Sequence, residues 1–209
     1  MKESASLQFL ELPPERRWRQ QTYPAPIVVA LIRRNSSQKT ASGPTSHYLL
    51  IKRNGDPYNG CWALVGGKWE FGEALSEAII REVKEETSLD AAFVAVRGLV
   101  SERVAPSGDK ANGAHFLLFV CELSANDGKA EEQEEGAIAW FTRAEIEHLH
   151  ATAAIIPSDF AMISSFAEAR EVVPHIEAEM RAPIGGTSND PIQLLRFERI
   201  NNVKSDHES

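Results

Sequence analysis

The sequence has few cysteines, a shortage of positive charge and no long apolar segment. Cys61 and Cys121 are its only cysteines, and neither belongs to a C-x-x-C pair. With no signal-peptide pattern before Pro13, two free thiols favour a reducing cytosol, so we expect a cytoplasmic protein. The 22 Lys and Arg residues are outnumbered by 30 Asp and Glu, and the net charge of −8 argues against a nucleic-acid-binding surface. No run of about 18 apolar residues occurs, so we expect no contact with a membrane.

What the chain does contain is the composition of an ordinary soluble globular protein. Its 209 residues, 43% hydrophobic and 25% charged, suit one domain with extensions or at most two small domains. The negative charge would repel a polyanionic substrate unless metal ions and local Lys or Arg residues neutralise it.

One helix is predicted over residues 75–87, where good helix formers run without Gly or Pro. Glu82, Glu85 and Glu86 have i, i+3 and i+4 spacing, so their carboxylates share one side of this helix. Like charges at this spacing repel, which indicates a bound cation, and clustered hard oxygen ligands suit Mg²⁺ or Mn²⁺. A neighbouring aliphatic stripe that can face a core consists of Ile79, Ile80 and Val83.

Runs of β-branched and apolar residues predict strands on both sides of this helix. The order of strands, loops and helices indicates a mixed α/β domain. A polar segment over 35–46 is predicted as a loop, a capping box at Thr142 opens one helix, and Pro157 opens another. The predicted strands are 26–32, 47–53, 92–100, 114–123, 137–141 and a late one over 192–197.

The stretch from Gly67 to Leu89 resembles the Nudix box, G-x5-E-x7-R-E-U-x-E-E-x-G-U, in which U is an aliphatic residue. Ser88 alone departs from the pattern, since the family has glycine there. Glycine suits a left-handed helix end, so a serine in that conformation costs on the order of 1 kcal/mol. The matching positions are Gly67, Glu73, Arg81, Glu82, Val83, Glu85, Glu86 and Leu89.

The resemblance implies an architecture, namely the Nudix α/β/α sandwich with a mixed sheet. The flanks of the box follow the family's strand order over residues 24–150, which we take as the Nudix hydrolase domain. Residues 1–23 are then an N-terminal extension. Residues 151–209 are then a C-terminal helical extension that packs on the domain and ends in a frayed tail.

The resemblance also implies an activity, the metal-dependent hydrolysis of a nucleoside diphosphate linked to another group. Glu82, Glu85 and Glu86 would hold Mg²⁺ or Mn²⁺, with the Gly66 carbonyl as a further metal ligand. Arg81 would orient a box carboxylate, since an unpaired cation would compete with the metal.

Glu73 would support the site from its loop, or hold metal through water. The family has no universal general base, so four candidates stay open. These are Glu86, the acidic-loop residues Glu134 and Glu135, and His115 at the start of a strand. The resemblance also allows Glu134 or Glu135 to be an extra metal ligand.

Phosphate contacts are expected from Arg53, Lys68 and His115, although each also suits a simple structural role. Trp69 could stack on a base, but its slot is aliphatic in the family and we interpret it as a core residue.

The substrate is predicted to be a nucleotide-derived small molecule. We favour ADP-ribose or a nucleotide sugar, with nucleoside triphosphates as the alternative and a non-catalytic nucleotide sensor as a further one. Association into a homodimer stays open.

Overall fold

The structure, a computed structural model, describes residues 23–40, 43–55, 58–104, 113–125, 136–169, 171–181 and 193–200. The N-terminal extension up to residue 22 and the tail beyond residue 200 lie outside the described residues. The elements in chain order are β1 Ala25–Thr40, β2 Gly43–Arg53, β3 Trp62–Ala63, β4 Val65–Lys68, α1 Leu75–Thr87, β5 Ala91–Val104, β6 Ala114–Ala125, β7 Gly136–Thr142, α2 Arg143–Ala151, α3 Pro157–Phe166, β8 Ile176–Arg181 and β9 Gln193–Arg199.

The long strand β1 joins the two halves of the main sheet. Its first half pairs in parallel with β6, from Ala25 opposite Phe116 onward, and antiparallel with β4 on its other side. Its second half pairs antiparallel with β2, beginning with Arg33 opposite Tyr48. Strand β5 extends the sheet beyond β6, whereas β3 and β7 extend it beyond β2. The sheet therefore contains parallel and antiparallel pairs, as predicted.

Helices cover both faces of this sheet. Successive side chains of β1 point to opposite faces and pack against different helices. One face carries Val28 and Ala30 toward the apolar stripe of α1, and the other carries Val29 and Leu31 toward α2 and α3. Burying each Val or Leu side chain among them stabilises the fold by about 1.5–3 kcal/mol. The α/β/α sandwich predicted from the sequence is thus confirmed. The buried apolar helix residues are Leu75, Ala78, Ile79 and Val83 on the first face, and Ile146, Met162 and Ile163 on the second.

Two local predictions are wrong. Ile80 belongs to neither core cluster and is 36% exposed, so the apolar stripe of α1 is narrower than predicted. The loop predicted over 35–46 is largely strand, since Asn35 pairs with Ser46 and Thr40 pairs with Gly43. Backbone ladder hydrogen bonds need no apolar side chain, so a polar hairpin gives no hydrophobic pattern.

The C-terminal region differs from the helical extension predicted over 151–209. It contains helix α3, but the described residues beyond residue 175 form an antiparallel pair of strands, β8 and β9. The late strand predicted over 192–197 corresponds to β9. In the part of the chain that the structure describes, every helix is too short or too polar to cross a bilayer.

Candidate active site

Helix α1 carries the predicted metal ligands, and its apolar stripe fixes how they are presented. Val83 is fully buried against the sheet, so the neighbouring edge of the helix is held close to β4. The side chain of Glu82 is 13% exposed and that of Glu85 is 58% exposed, whereas Glu86 as a residue is 8% exposed. The carboxylates therefore run from the core boundary to the solvent. The helix ends at Ser88, which has φ +58° and the left-handed conformation expected at the glycine position.

Arg81 donates hydrogen bonds to three glutamates and to one backbone carbonyl. Its Nε and Nη2 donate to the two oxygens of Glu73, at 2.7 and 3.0 Å. Its Nη1 donates to Glu82 at 2.8 Å and to Glu85 at 3.2 Å. A further bond of 3.1 Å from Nη2 to the Lys68 carbonyl ties the helix to the end of β4. The guanidinium fork thus links the loop before α1, the helix and the strand.

These bonds also fix the charge states of the partners. Hydrogen bonding from Arg81 is the largest cause that lowers the pKa of Glu73 below its usual range. Hydrogen bonding to Glu73 likewise raises the pKa of Arg81 above its ordinary value, against the opposing effect of burial. Both groups are therefore charged at neutral pH.

The glycines of β4 allow backbone and carboxylates to approach each other closely. The Gly66 N–H donates to Glu86 Oε2 at 3.1 Å. A Cβ at Gly66 would overlap the Val28 carbonyl of β1, and one at Gly67 would collide with the Glu82 carboxylate. Any larger residue at either position would push β4 away from β1 or Glu82 out of the site.

The donor set fits a hard divalent cation, since it consists of carboxylates and a backbone carbonyl. The residues that would hold such an ion are Glu82, Glu85, Glu86 and the Gly66 carbonyl. In the arrangement described, Glu82 and Glu85 turn toward Arg81 while Glu86 turns toward the Gly66 N–H. Across the described ranges, no three acidic, His or Cys side chains are grouped closely enough to hold a metal ion as they stand. Binding would therefore require the glutamate side chains to turn.

Two of the predicted substrate contacts, Lys68 and His115, lie at the same end of two strands that flank β1. Lys68 ends β4 and His115 begins β6, and the start of β1 lies between these two strands. His115 Nε2 is 2.8 Å from Ser101 Oγ on β5. His115 lines an open cleft of about 320 Å³ together with Tyr23 and Arg103.

Arg53 ends β2, where its backbone pairs with Gly60 and Cys61. Its charge acts on Asp159 of α3. Its predicted contact with phosphate stays a prediction.

Trp69 packs against the core cluster that faces α1, as predicted. Its Nε1 donates to the Glu73 carbonyl at 3.0 Å, and its ring meets Phe119 edge-on with 5.2 Å between centroids. Glu134 and Glu135 lie outside the described residues, so their predicted roles remain predictions.

Sequence reasoning missed one buried acid next to the site. Asp159 is 8% exposed and accepts a 2.7 Å hydrogen bond from the backbone N–H of Leu64, immediately before β4. Burial raises its pKa to about 7, with a smaller opposing effect of the Leu64 N–H. An acidic residue in the first turn after Pro157 ordinarily indicates a helix start at the surface, so the sequence carried no signal of burial.

Comparison with known proteins gives consistent matches over this region. A family model described as "NUDIX domain" matches residues 24–161. An ADP-ribose pyrophosphatase of Methanocaldococcus jannaschii is 36% identical over 89 residues, which are 43% of this chain and 51% of that protein. The nucleoside triphosphatase NudI of an Enterobacter species is 34% identical over 49% of this chain and 77% of its own length. The chain thus spans about half of the first relative and most of the second.

Solved structures show the same fold at low sequence identity. A NUDIX hydrolase from Nitrosomonas europaea superposes with a TM-score of 0.53 and 18% identity over 72% of this chain and 73% of its own. The NUDIX domain of Shewanella oneidensis NrtR, solved in complex with ADP ribose, gives 0.55 and 14% over 78% of this chain and 96% of its own.

Proposed function

Because the chain belongs to the Nudix family, we propose that it is a metal-dependent pyrophosphohydrolase acting on a nucleoside diphosphate linked to another group. The observation that carries this proposal is the set of ion pairs that Arg81 makes with Glu73, Glu82 and Glu85. The Glu82 carboxylate lies beside Gly67 of β4. An acidic helix that served only as a solvated surface would need neither an arginine paired with several carboxylates nor a glycine that leaves room for the Glu82 carboxylate.

We place the hydrolase domain from residue 24 through α3, somewhat beyond the limit of 150 expected from the sequence. Met162 and Ile163 of α3 are buried in the second core cluster, and Asp159 holds the residue that leads into β4. Removing α3 would uncover that face of the sheet.

Each residue of the site has a distinct part in the proposed reaction. When bound, a divalent ion would offset the charge of the diphosphate and lower the pKa of the attacking water. Glu82, Glu85, Glu86 and the Gly66 carbonyl would hold it. Arg81 and Glu73 keep the carboxylates oriented through their ion pairs.

The reaction is a single displacement at phosphorus. Water forms the new P–O bond, the bridging P–O bond breaks, and the water proton passes to a carboxylate. Glu86 is our candidate for this base, because it lies at the core boundary beside the Gly66 N–H. Glu134, Glu135 and His115 are the alternatives. The expected products are two phosphate monoesters.

For the substrate we favour ADP-ribose or a nucleotide sugar. The activity named for the Methanocaldococcus relative supports this choice, and so does the cleft at His115, whose Arg103 and Tyr23 suit a phosphate and a ring. The activity named for NudI supports nucleoside triphosphates as the second candidate.

A hydrolysis screen tests the proposal. The full chain would be incubated with Mg²⁺ or Mn²⁺ and with ADP-ribose, nucleotide sugars, NADH, NTPs, dNTPs, diadenosine polyphosphates and CoA. We expect hydrolysis of ADP-ribose or a nucleotide sugar that EDTA abolishes. Glu147→Gln, which alters an exposed carboxylate on α2, is the matched control and should keep full activity. Binding of ADP-ribose without hydrolysis of any compound would instead indicate a nucleotide sensor.

Oxygen-18 water tests the chemical step. One label should appear in one of the two phosphate products and none in the other. A burst of product together with a trapped phosphoryl- or nucleotidyl-enzyme would refute the direct attack of water.

A further inference from the structure

The first turn of α1 is capped by a residue from the antiparallel pair of β8 and β9, which we call the C-terminal hairpin. The N-cap position is Ala74, whose side chain offers no hydrogen-bond acceptor, and Glu77 Oε2 accepts the Ala74 N–H at 2.9 Å. The next donor, the N–H of Leu75, bonds to Oε1 of Glu177 on β8 at 3.2 Å. A carboxylate at this end of a helix satisfies a free backbone donor and interacts favourably with the helix dipole.

Glu177 is itself held in place by the docked hairpin. His175 Nε2 donates to the same Oε1 at 2.7 Å, and the His175 side chain is 10% exposed with its ring edge-on to Phe93 of β5. The His175 carbonyl accepts the N–H of Ile200 at 2.8 Å, which ties the end of β9 to the same point. Glu177 is therefore a fixed acceptor.

The hairpin docks on the domain through the segment just before β8. Val173 donates its N–H to the Val96 carbonyl of β5 at 2.9 Å and pairs with that residue antiparallel. This segment and the hairpin lie beyond residues 24–161, where the family model matches. The contact to α1 therefore comes from a part of the chain that the family pattern does not describe.

We propose that Glu177 is a positioning residue for the metal-binding helix, an inference that rests on the proposed function of α1. Leu75 is 2% exposed, and it precedes Glu82 by two helical turns, or about 10 Å. Fixing the Leu75 N–H fixes where α1 begins, and a rigid helix carries that position to Glu82 beside Gly67 and to Glu86 at the Gly66 N–H. The C-terminal hairpin thus sets the geometry of the site through the Leu75 N–H.

A cap that only stabilises the fold would change the melting temperature and the local opening of α1, and would leave metal affinity unchanged. A positioning role predicts a change in metal affinity as well. Both effects can be measured without substrate, by titration of Mn²⁺ with electron paramagnetic resonance and by amide hydrogen exchange.

The test uses the full chain carrying Glu177→Ala, with Glu179→Ala as the matched control. Glu179 is an exposed carboxylate on the same strand. For Glu177→Ala we expect about fivefold weaker Mn²⁺ affinity and about fivefold faster exchange in the first turn of α1, the factor that loss of one helix cap gives. Glu179→Ala should change neither, and Glu177→Gln, which keeps an acceptor oxygen, should recover part of both effects.

Unchanged Mn²⁺ affinity in Glu177→Ala would overturn the proposal, even with a lowered melting temperature and faster exchange in α1. If that variant does not fold, Glu177→Gln is compared with Glu179→Gln, and equal Mn²⁺ affinity of the two overturns it equally. Should the wild-type chain neither bind Mn²⁺ nor hydrolyse any compound, the proposed function fails. Exchange at α1 then decides by itself whether Glu177 holds the helix.

Discussion

Replacing Asp159 with Asn should stabilise the protein at alkaline pH, although it removes a hydrogen-bonded carboxylate. Burial raises the pKa of Asp159 from 3.8 to about 7, and the nearby charge of Glu102 adds to this effect. The Leu64 N–H and the charge of Arg53 oppose it. The folded protein therefore binds a proton that the unfolded chain releases, throughout the interval between these two pKa values.

The sign of the pH dependence follows from this difference in proton binding. The contribution of Asp159 to the free energy of unfolding is fully present below about pH 4 and is lost as the pH rises through about 7. Three pKa units correspond to ~4 kcal/mol. Asn keeps an oxygen that accepts the Leu64 N–H and carries no charge at any pH, so Asp159→Asn should avoid this loss.

Urea unfolding of the two proteins at pH 5 and pH 8.5 measures the effect. At pH 5 we expect Asp159→Asn to be more stable than wild type by about 1.5 kcal/mol, because the aspartate is then ionised in the unfolded chain and protonated in the folded one. At pH 8.5 this difference should grow to ~4 kcal/mol. Asp90→Asn, on an aspartate whose side chain is 79% exposed, is the matched control and should show no such pH-dependent gain. An equal difference between Asp159→Asn and wild type at both pH values would refute the reasoning.

Three further predictions concern the helix and its surroundings. Glu86→Gln should lower kcat by orders of magnitude while circular dichroism remains unchanged, and retained activity would remove Glu86 from the mechanism. Ser88→Gly should raise the free energy of unfolding by a few tenths to about 1 kcal/mol, because Ser88 has φ +58°, and a lower melting temperature would contradict this. If the acidic loop supplies a base or a metal ligand, either Glu134→Gln or Glu135→Gln should lose far more rate than the other, whereas two equally mild variants would shift the role to His115.

Much of the fold was predictable because the sequence marks the buried elements clearly. Helix α1 has the predicted bounds, and the capping box at Thr142 and the proline at 157 mark the starts of α2 and α3. The buried strands were found by their apolar runs. The outer hairpin of β1 and β2 was not, because its pairing depends on backbone hydrogen bonds between polar residues.

The candidate site was predictable where its members are neighbours along the chain. The resemblance to the Nudix box implied that Arg81 orients a box carboxylate, and the structure pairs Arg81 with Glu73 and Glu82. Asp159 and Glu177 could not be found in this way. Each accepts a hydrogen bond from a backbone N–H about a hundred residues away along the chain. The pattern of side chains in the sequence does not indicate such a pair.

Strand β1 pairs with a different strand on each side, and this affects the order in which the protein folds. The glycines of β4 lie on one edge of β1, and β6 pairs in parallel with the other edge, about ninety residues later in the chain. Pairing at that separation carries a high loop-closure entropy and is slow compared with the formation of local turns and helices. On the ribosome, α1 is complete long before residues 114–123 of β6 emerge to pair with β1. Helix α1 is therefore synthesised early, whereas the sheet on which it packs is completed late.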